Sequence, residues 1–392
     1  MTRIALWTVL IVVPGMFGQT TFHGNLAHTG VYDSPGPKQF KGIKWAFKTD
    51  GPVLSSPTIS DDVVFFGSSD GNAYAVDAST GTQKWKFAIS GERRFAATHL
   101  HGGAPIGETM PDPFDFYLSS PIVVDGVVYF GSGDTNIYAL DAASGQLKWK
   151  FKTGDVVHAS PAVVDGKLYV GSWDSYFYAL DAASGKERWR FKTGEDPDIS
   201  NQVGIQASAV IAEGTVYFGC RDSKLYALDA RTGKQRWAFD NKGSWVISSP
   251  AVSHGRLYFA TSDSALVHAL DAKSGAPLFE LSFRQWPFFS SPALAGNFLY
   301  IGSHSGQVLA IDLKAQKTAW SFVTDGARAN AAALTKPDGS PDYHAAASDS
   351  FYDSLVIGVD RMMSVGAVLS SPVIEGDTLY VGSWDGQLYA LG

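Results

Sequence analysis

The sequence predicts an all-β protein, a seven-bladed β-propeller of four-stranded antiparallel blades that is closed by an N-terminal strand added to the last blade. Three observations predict it: a recurring segment, the turn residues inside each copy, and a last copy that lacks its final strand. The fullest copy runs from Ser160 to Trp189. Its alternating apolar residues are interrupted by Asp-Gly, Gly-Ser-x-Asp and Ser-Gly turn signals, which divide it into four short strands. Four-stranded sheets repeated about every 40 residues are typical of a propeller, because each sheet can bury its faces only against its neighbours.

Each complete copy carries an aspartate near its third strand and an aromatic residue eight positions later. The pairs are Asp77 and Trp85, Asp141 and Trp149, Asp181 and Trp189, Asp229 and Trp237, Asp271 and Phe279, and Asp312 and Trp320. An aspartate can accept backbone N–H groups in a turn, and a large aromatic ring can fill the space between blades. We therefore interpret these residues as structural.

The two ends of the chain complement each other. The seventh copy begins at Ser370 and stops at Gly392, before an aromatic residue of its own. The segment 43–49 has the composition of a fourth strand, with no first three strands ahead of it. Joining the ends would complete seven blades and remove the free sheet edges.

The N-terminus resembles an export signal. Arg3 precedes an apolar run, Ile4 to Val13, which is too short to span a bilayer and is followed by small residues. We expect a signal peptide at 1–18, a leader segment at 19–42 and one propeller domain at 43–392. The predicted location is periplasmic or extracellular, with no membrane span and, because no cysteine follows the apolar run, no lipid anchor.

Composition excludes several functions. The net charge of -7 and the lack of a Lys/Arg run argue against nucleic-acid binding. Cys220 is the single cysteine, which rules out an intrachain disulfide and a cysteine-based metal cluster. No Gly-x-Ser-x-Gly, P-loop or dinucleotide motif supports hydrolase, nucleotide or NAD chemistry.

Extra chain lies at three junctions between copies, at 90–117, 194–206 and 324–367. Each junction joins a fourth strand to the next first strand, so in a meander all three lie on the same face as the Gly-Ser-x-Asp turns. We call this the insertion face, and we expect the binding site there. Four tryptophans outside the aromatic positions of the repeat and outside the signal also map to it: Trp173, Trp245, Trp286 and Trp384. They could stack on a sugar, a quinone or a partner protein, or the insertions could simply pack on them.

Two polar residues replace an apolar one at the start of the innermost strand. His158 and Gln206 stand three residues before the repeat proline position, where the other copies have Leu, Ile or Phe. They suggest the mouth of a central channel, or a hydrogen bond to a neighbouring insertion.

The insertions also supply the remaining candidate site residues. Candidate catalytic residues are His99, His101, His158, Asp115, His344 and Asp360. Candidate ligand-binding residues, besides the four tryptophans, are Arg93, Arg94, Tyr117, Gln202, Gln206, Asn330 and Arg361. Carboxylates from different insertions could act as an acid/base pair. His99 and His101 are weak candidates for metal ligands, and no metal is expected. The stretch 350–366 has apolar spacing compatible with a short helix.

The repeat Ala-Leu-Asp-Ala-x-(Ser/Thr)-Gly-x-x-x-Trp resembles that of the pyrroloquinoline-quinone-like (PQQ-like) propeller superfamily. The segment Phe22 to Gly30 resembles the leader found ahead of many such propellers. The superfamily includes quinoprotein dehydrogenases and an outer-membrane assembly lipoprotein. The dehydrogenases typically have eight blades and a vicinal cysteine pair, and this chain departs from both, so we expect no cofactor; PQQ with calcium is the alternative.

Our leading hypothesis is a binding module that captures a partner protein or a saccharide-like ligand through the insertion face. The alternative is an enzyme with its site over the channel. It would be a lyase or hydrolase acting on a saccharide-like substrate, or an atypical quinoprotein oxidoreductase.

Overall fold

The computed structural model of the chain shows an all-β architecture. It describes residues 22–25, 27–28, 47, 49–50, 55–68, 70–89, 95–96, 109–110, 119–194, 204–283, 286–347, 358–359, 361–375, 378–385 and 388–391. In this part of the chain, six sheets have four antiparallel strands each, a seventh has three, and a hairpin stands apart. The prediction of four-stranded antiparallel units is confirmed for six sheets.

The first half of the strands builds sheets 1 to 3 and the separate hairpin. Sheet 1 contains β1 (Thr58–Ser60), β2 (Val63–Ser68), β3 (Asn72–Asp77) and β4 (Gln83–Ala88), and the hairpin contains β5 (Phe95–Ala96) and β6 (Thr109–Met110). Sheet 2 contains β7 (Ile122–Val124), β8 (Val127–Gly131), β9 (Asn136–Asp141) and β10 (Leu147–Lys152). Sheet 3 contains β11 (Ala162–Val164), β12 (Lys167–Gly171), β13 (Tyr176–Asp181) and β14 (Glu187–Lys192).

The second half builds sheets 4 to 7. Sheet 4 contains β15 (Val210–Ala212), β16 (Thr215–Gly219), β17 (Lys224–Asp229) and β18 (Gln235–Asp240), and sheet 5 contains β19 (Ala251–Ser253), β20 (Arg256–Ala260), β21 (Leu266–Asp271) and β22 (Pro277–Ser282). Sheet 6 contains β23 (Ala293–Ala295), β24 (Phe298–Gly302), β25 (Gln307–Asp312) and β26 (Lys317–Val323), and sheet 7 contains β27 (Val373–Glu375), β28 (Thr378–Gly382) and β29 (Leu388–Leu391).

Helices are few. A 3-10 turn covers Phe22–Gly24, α1 covers Asp325–Leu334 and α2 covers Tyr343–Ala346. None of the helices within the described residues is long and apolar enough to cross a membrane.

The sheets are arranged around a common axis. The first strand of each sheet contacts the first strand of the next, from β1 and β7 through to β23 and β27. Within each sheet the strands follow one another in chain order, so the first strand is innermost and the last is outermost. This radial arrangement is that of a β-propeller.

Four of the six repeat aromatic residues, all of them tryptophans, contact the next sheet as predicted, whereas Trp320 is 41% exposed. The Trp149 indole Nε1 donates to the Ala182 carbonyl of the next sheet at 3.0 Å. A Cβ added to Gly185 would lie 2.7 Å from the Trp149 ring, so the ring requires glycine in that turn. The same pair recurs as Trp85 with Gly145, Trp189 with Gly233 and Trp237 with Gly275.

Two predictions concern segments that the structure describes only in part. In the proposed closing segment 43–49, only Phe47 and Thr49 are described, so the seven-blade count and the closure stay predictions. Residues 350–357 and 360 lie outside the described residues, while 358–359 and 361–363 are helical.

Candidate functional site

The insertion face is organised by one recurring backbone hydrogen bond. In five sheets, the variable residue of the turn between the second and third strands, here called the turn residue, donates its backbone N–H to the loop before the first strand of its own sheet. The pairs are Trp173 to Val156 (3.0 Å), Arg221 to Gly204 (3.0 Å), Ser262 to Trp245 (3.0 Å), His304 to Pro287 (2.9 Å) and Trp384 to Ala367 (2.9 Å). Each turn side chain is therefore held beside the entry of an innermost strand.

Turn residues of sheets 3 and 4 form a buried stack with residues from the adjoining loops. The Arg221 guanidinium carbon lies 4.2 Å from the centre of the Trp173 ring and 4.6 Å from that of Trp245. His158 meets Trp173 edge to face, with ring centres 5.3 Å apart. Arg221 is only 1% exposed. Two aromatic rings therefore lie within cation–π distance of the buried guanidinium.

Gly204 fixes the loop behind this stack. Its φ of 122° is one that side chains rarely adopt, and a Cβ there would lie 2.6 Å from the Trp173 Cα. Its carbonyl accepts both the Arg221 N–H and the Cys220 thiol, the latter at 3.3 Å. Burial raises the pKa of the Cys220 thiol well above its usual range, so Cys220 is a packing residue and not a nucleophile.

Gln206 is a buried polar residue just ahead of the innermost strand of sheet 4. It is 4% exposed, and neither amide atom has a hydrogen-bond partner within the described part of the chain. In sheets 3 and 6 the residue three before the repeat proline contacts the turn residue, as His158 with Trp173 and Phe289 with His304 show. Gln206 thus keeps a buried side-chain amide that can still donate and accept hydrogen bonds.

The third insertion covers sheets 5 and 6. Trp245 and Trp286 form one apolar cluster with Leu334 of α1, Ala346 of α2 and Met363. The Trp286 indole donates to the Gly339 carbonyl at 2.9 Å. For Trp245 and Trp286, these contacts match the interpretation in which the insertion packs on the tryptophan rings.

Two predicted ligand-binding residues bond within the same insertion. The Asn330 side chain donates to the Ser364 carbonyl at 2.5 Å, and Arg361 donates to the Ala347 carbonyl at 3.2 Å. Thr324 caps α1 by accepting the Ala327 N–H and donates its own hydroxyl to the Gly366 carbonyl, each at 3.2 Å. These bonds join the start and the end of the insertion into one unit.

Among the described residues of the insertion face, two aromatic side chains are exposed. Trp384 is 42% exposed and Tyr343, on α2, is 58% exposed. The candidate His344 is also exposed on α2. The other candidates lie outside the described residues: Arg93, Arg94, His99, His101, Asp115, Tyr117, Gln202 and Asp360.

The leader contributes two buried histidines near the axis. His28 is 1% exposed, and its Nδ1 lies 3.1 Å from the Ala209 carbonyl. The Ile211 N–H donates to the Ala27 carbonyl at 3.3 Å, from the edge of β15 that does not pair with β16. Burial lowers the pKa of His28 to about 3 and that of His23 to about 4. The leader therefore lies on the innermost strand of sheet 4.

Sequence reasoning missed Arg221 and His304. Aligning the seven turns would have shown them, because the turn residue varies from copy to copy: Ser69, Gly133, Trp173, Arg221, Ser262, His304 and Trp384. Large side chains occupy four of these positions.

The family of the chain follows from its repeats. A family model described as outer membrane protein assembly factor BamB matches residues 41–106, 116–243 and 226–392. The chain belongs to this family. The BamB of Yersinia pestis is 30% identical over 146 residues, which cover 29% of this chain and 37% of that protein. The chain thus spans just over a third of the length of this curated relative.

Solved BamB-like and quinoprotein structures share the fold. BamB from Moraxella catarrhalis is 17% identical, with a TM-score of 0.63 over 90% of this chain and 86% of that chain. The quinohemoprotein alcohol dehydrogenase ADHIIG from Pseudomonas putida is 16% identical, with a TM-score of 0.68 over 95% and 70%. The quinohemoprotein alcohol dehydrogenase from Comamonas testosteroni is 15% identical, with a TM-score of 0.66 over 95% of this chain and 71% of that chain.

The quinoprotein neighbours raise the question of PQQ with calcium. Within the described residues, no group of three or more His, Cys, Asp or Glu could hold a metal ion. Cys220 is buried and has no vicinal cysteine. The Arg221 guanidinium lies over the Trp173 ring. The expectation that the chain uses no cofactor stays a prediction.

Proposed function

We propose that this BamB-family propeller is a protein-binding module of the cell envelope, outside the cytoplasm, and that its insertion face contacts a partner in outer-membrane protein assembly. Family membership and the assembly-factor role named for the Yersinia relative support the partner class. One observation carries the surface: Trp384 is 42% exposed, whereas Trp173, at the same turn position, is 4% exposed. Exposed tryptophan on a rigid frame is typical of an interface hot spot.

Hydrogen bonds hold the turn that carries Trp384. The neighbouring Asp385 carboxylate accepts the Gly326 N–H at 2.9 Å and the Tyr389 hydroxyl at 2.7 Å. The turn is therefore tied both to α1 and to its own sheet. A partner that binds there does not have to order the loop, which lowers the entropic cost of association.

Site-specific photo-crosslinking in the producing cells tests this surface. A crosslinking amino acid at Trp384 or Tyr343 should capture one defined envelope protein. The matched control is Leu278, which is 47% exposed but lies on the outermost strand of sheet 5. Equal capture from position 278, or none from 384 and 343, would contradict the proposal.

We also propose that the N-terminal segment closes the ring. Phe47 lies 5.5 Å from the Tyr74 ring, edge to face. Fourth-strand phenylalanines elsewhere make the same contact with the next sheet, as Phe87 with Tyr138 at 5.3 Å. The Ser68 hydroxyl also donates to Thr49 at 3.2 Å. These contacts support a fourth strand of sheet 7, which would give seven four-stranded blades.

An enzyme with its site over the predicted channel is the second candidate, favoured by the buried Gln206 amide, whose two polar atoms have no hydrogen-bond partner among the described residues. Such a buried group is typical of a ligand site. His158, at the equivalent position of sheet 3, is the candidate titratable group, and the saccharide-like substrate stays a prediction. That the protein works without a cofactor also stays a prediction, which a rise in melting temperature on adding PQQ and Ca²⁺ would contradict.

A further inference from the structure

A cavity on the insertion face is lined by neither Trp384, His158 nor Gln206. It has a volume of about 330 Å³, and residues of the loop that enters sheet 6 and of the third insertion line it. Its lining includes Phe283, Trp286 and Phe288, together with Ala331 of α1 and Thr335 at the end of that helix. The size is at the lower end of ligand pockets, which suits one ring-sized ligand.

The aromatic side of the cavity is held in place. Phe283 and Phe288 meet edge to face, with ring centres 5.6 Å apart. Trp286 is anchored by its hydrogen bond to the Gly339 carbonyl, and Gly339 itself lines the cavity. Phe283 and Trp286 therefore offer a fixed apolar surface to a ligand, whereas Phe288, which is 0% exposed, packs against Phe283.

The lining also includes polar but uncharged side chains. They are Ser303, Ser305 and Gln307, from the turn and third strand of sheet 6. The two serine hydroxyl oxygens lie 2.6 Å apart, so one hydroxyl donates to the other, and the second keeps its own hydrogen for a ligand. None of the described lining residues is ionisable.

The lining residues restrict the kind of ligand that can bind in this cavity. A charged ligand would lose its hydration without a counter-charge from the described lining. A wholly apolar ligand would bury the serine and glutamine groups without partners. A neutral sugar ring avoids both costs, because its C–H face can lie on aromatic rings while its hydroxyls bond to Ser305 and Gln307. We propose that this cavity binds a single neutral hexose unit.

The test is saturation-transfer NMR and calorimetry on the full chain with D-glucose and N-acetyl-D-glucosamine. D-glucuronate is the charged comparison and p-cresol the apolar one. The proposal expects saturable binding of at least one neutral sugar, with weaker binding of both comparison compounds. It is overturned if no neutral sugar binds, or if glucuronate or p-cresol binds as tightly as the best sugar.

A matched pair of variants locates the site. Ala331→Phe fills the cavity from α1, whereas Ala332→Phe places the same side chain at an exposed position of the same helix. We expect Ala331→Phe to weaken sugar binding at least about tenfold and Ala332→Phe to leave it unchanged. Equal affinities of the two variants would overturn the assignment.

Two further variants keep the outcome interpretable. If Ala331→Phe lowers the melting temperature strongly, Gln307→Leu replaces it, because it keeps the volume and removes the amide. The proposal expects about tenfold weaker sugar binding from Gln307→Leu, and unchanged binding would overturn it. Trp384→Ala should leave sugar binding intact, which separates this site from the proposed protein-binding surface.

Discussion

At the scale of single residues, a tryptophan at the turn position is buried in one sheet and exposed in another. Trp173 and Trp384 are both turn residues, yet their exposures are 4% and 42%. The difference comes from the neighbouring sheet, since Arg221 lies over the Trp173 ring. Burial at this position depends on which side chain the next sheet presents, and the repeat itself does not determine it.

This contrast predicts different costs for the same substitution. Trp173→Ala should lower the free energy of unfolding by about 3–5 kcal/mol, because it leaves a cavity and removes one face of the Arg221 stack. Trp384→Ala should lower it by less than about 1 kcal/mol, because the ring is partly in solvent. Urea unfolding of both variants measures the difference, and equal losses would show that the stack does not stabilise the fold.

The sequence predicted the residues that every copy shares. Asp181, Gly185 and Trp149 recur, and each has a local or nearest-neighbour role. Arg221 occurs at its turn position only once, so no repeat pattern reveals it. Its two aromatic neighbours come from different sheets, and a sequence does not specify which side chains meet across such a junction.

At the scale of elements, strands were more predictable than helices. Each strand is bounded by turn residues in every copy, whereas the third insertion occurs once. The sequence suggested a helix at 350–366, and the most complete helix found is α1, Asp325–Leu334. Its start is set by the Thr324 cap, and its buried side is made of small residues such as Ala327. An alanine-rich stripe gives a weak apolar signal, which explains why the spacing argument overlooked it.

The docked leader should respond to pH. His28 has an ordinary pKa of 6.5 when exposed and about 3 when docked, because burial disfavours its charged form. Between these values the undocked segment binds a proton that the docked one cannot, so docking is strongest above pH 6.5 and weakens as the pH falls towards 3. At pH 5 the loss from His28 alone is about 2 kcal/mol, and His23, whose pKa burial lowers to about 4, adds to it.

Hydrogen exchange measures this loss. After correction for intrinsic exchange rates, the backbone amides of 22–28 and of Ile211 should exchange faster at pH 5.0 than at pH 7.5. His28→Gln, which cannot take up the proton, should reduce this dependence. His254→Gln, at an exposed histidine, should leave it unchanged. A full pH response in His28→Gln would assign the effect to another group.

At the scale of the whole molecule, the question is how the ring ends. Sheet 7 has three strands within the described residues, and an unpaired outer edge there would invite association with other chains. In the other sheets, the fourth strand also fills the junction with the next sheet, as Phe151 does against Tyr178 at 5.3 Å. A closing N-terminal strand would pair with the outer edge of sheet 7 and would fill the junction between sheets 7 and 1. The contact of Phe47 with Tyr74 would then be the seventh junction filled by a fourth strand.

Closure therefore predicts that Phe47 contributes as much to stability as a fourth-strand residue within a complete sheet. Phe87 is the matched residue, because both side chains are half-buried and both meet a tyrosine ring edge to face. Phe47→Ala and Phe87→Ala should each lower the free energy of unfolding by about 2 kcal/mol, measured by urea denaturation with unchanged dependence on urea. If the N-terminal segment only rests on sheet 1, Phe47→Ala should cost less than about 0.5 kcal/mol while Phe87→Ala keeps its full effect, and the ring would then be held by its other junctions alone.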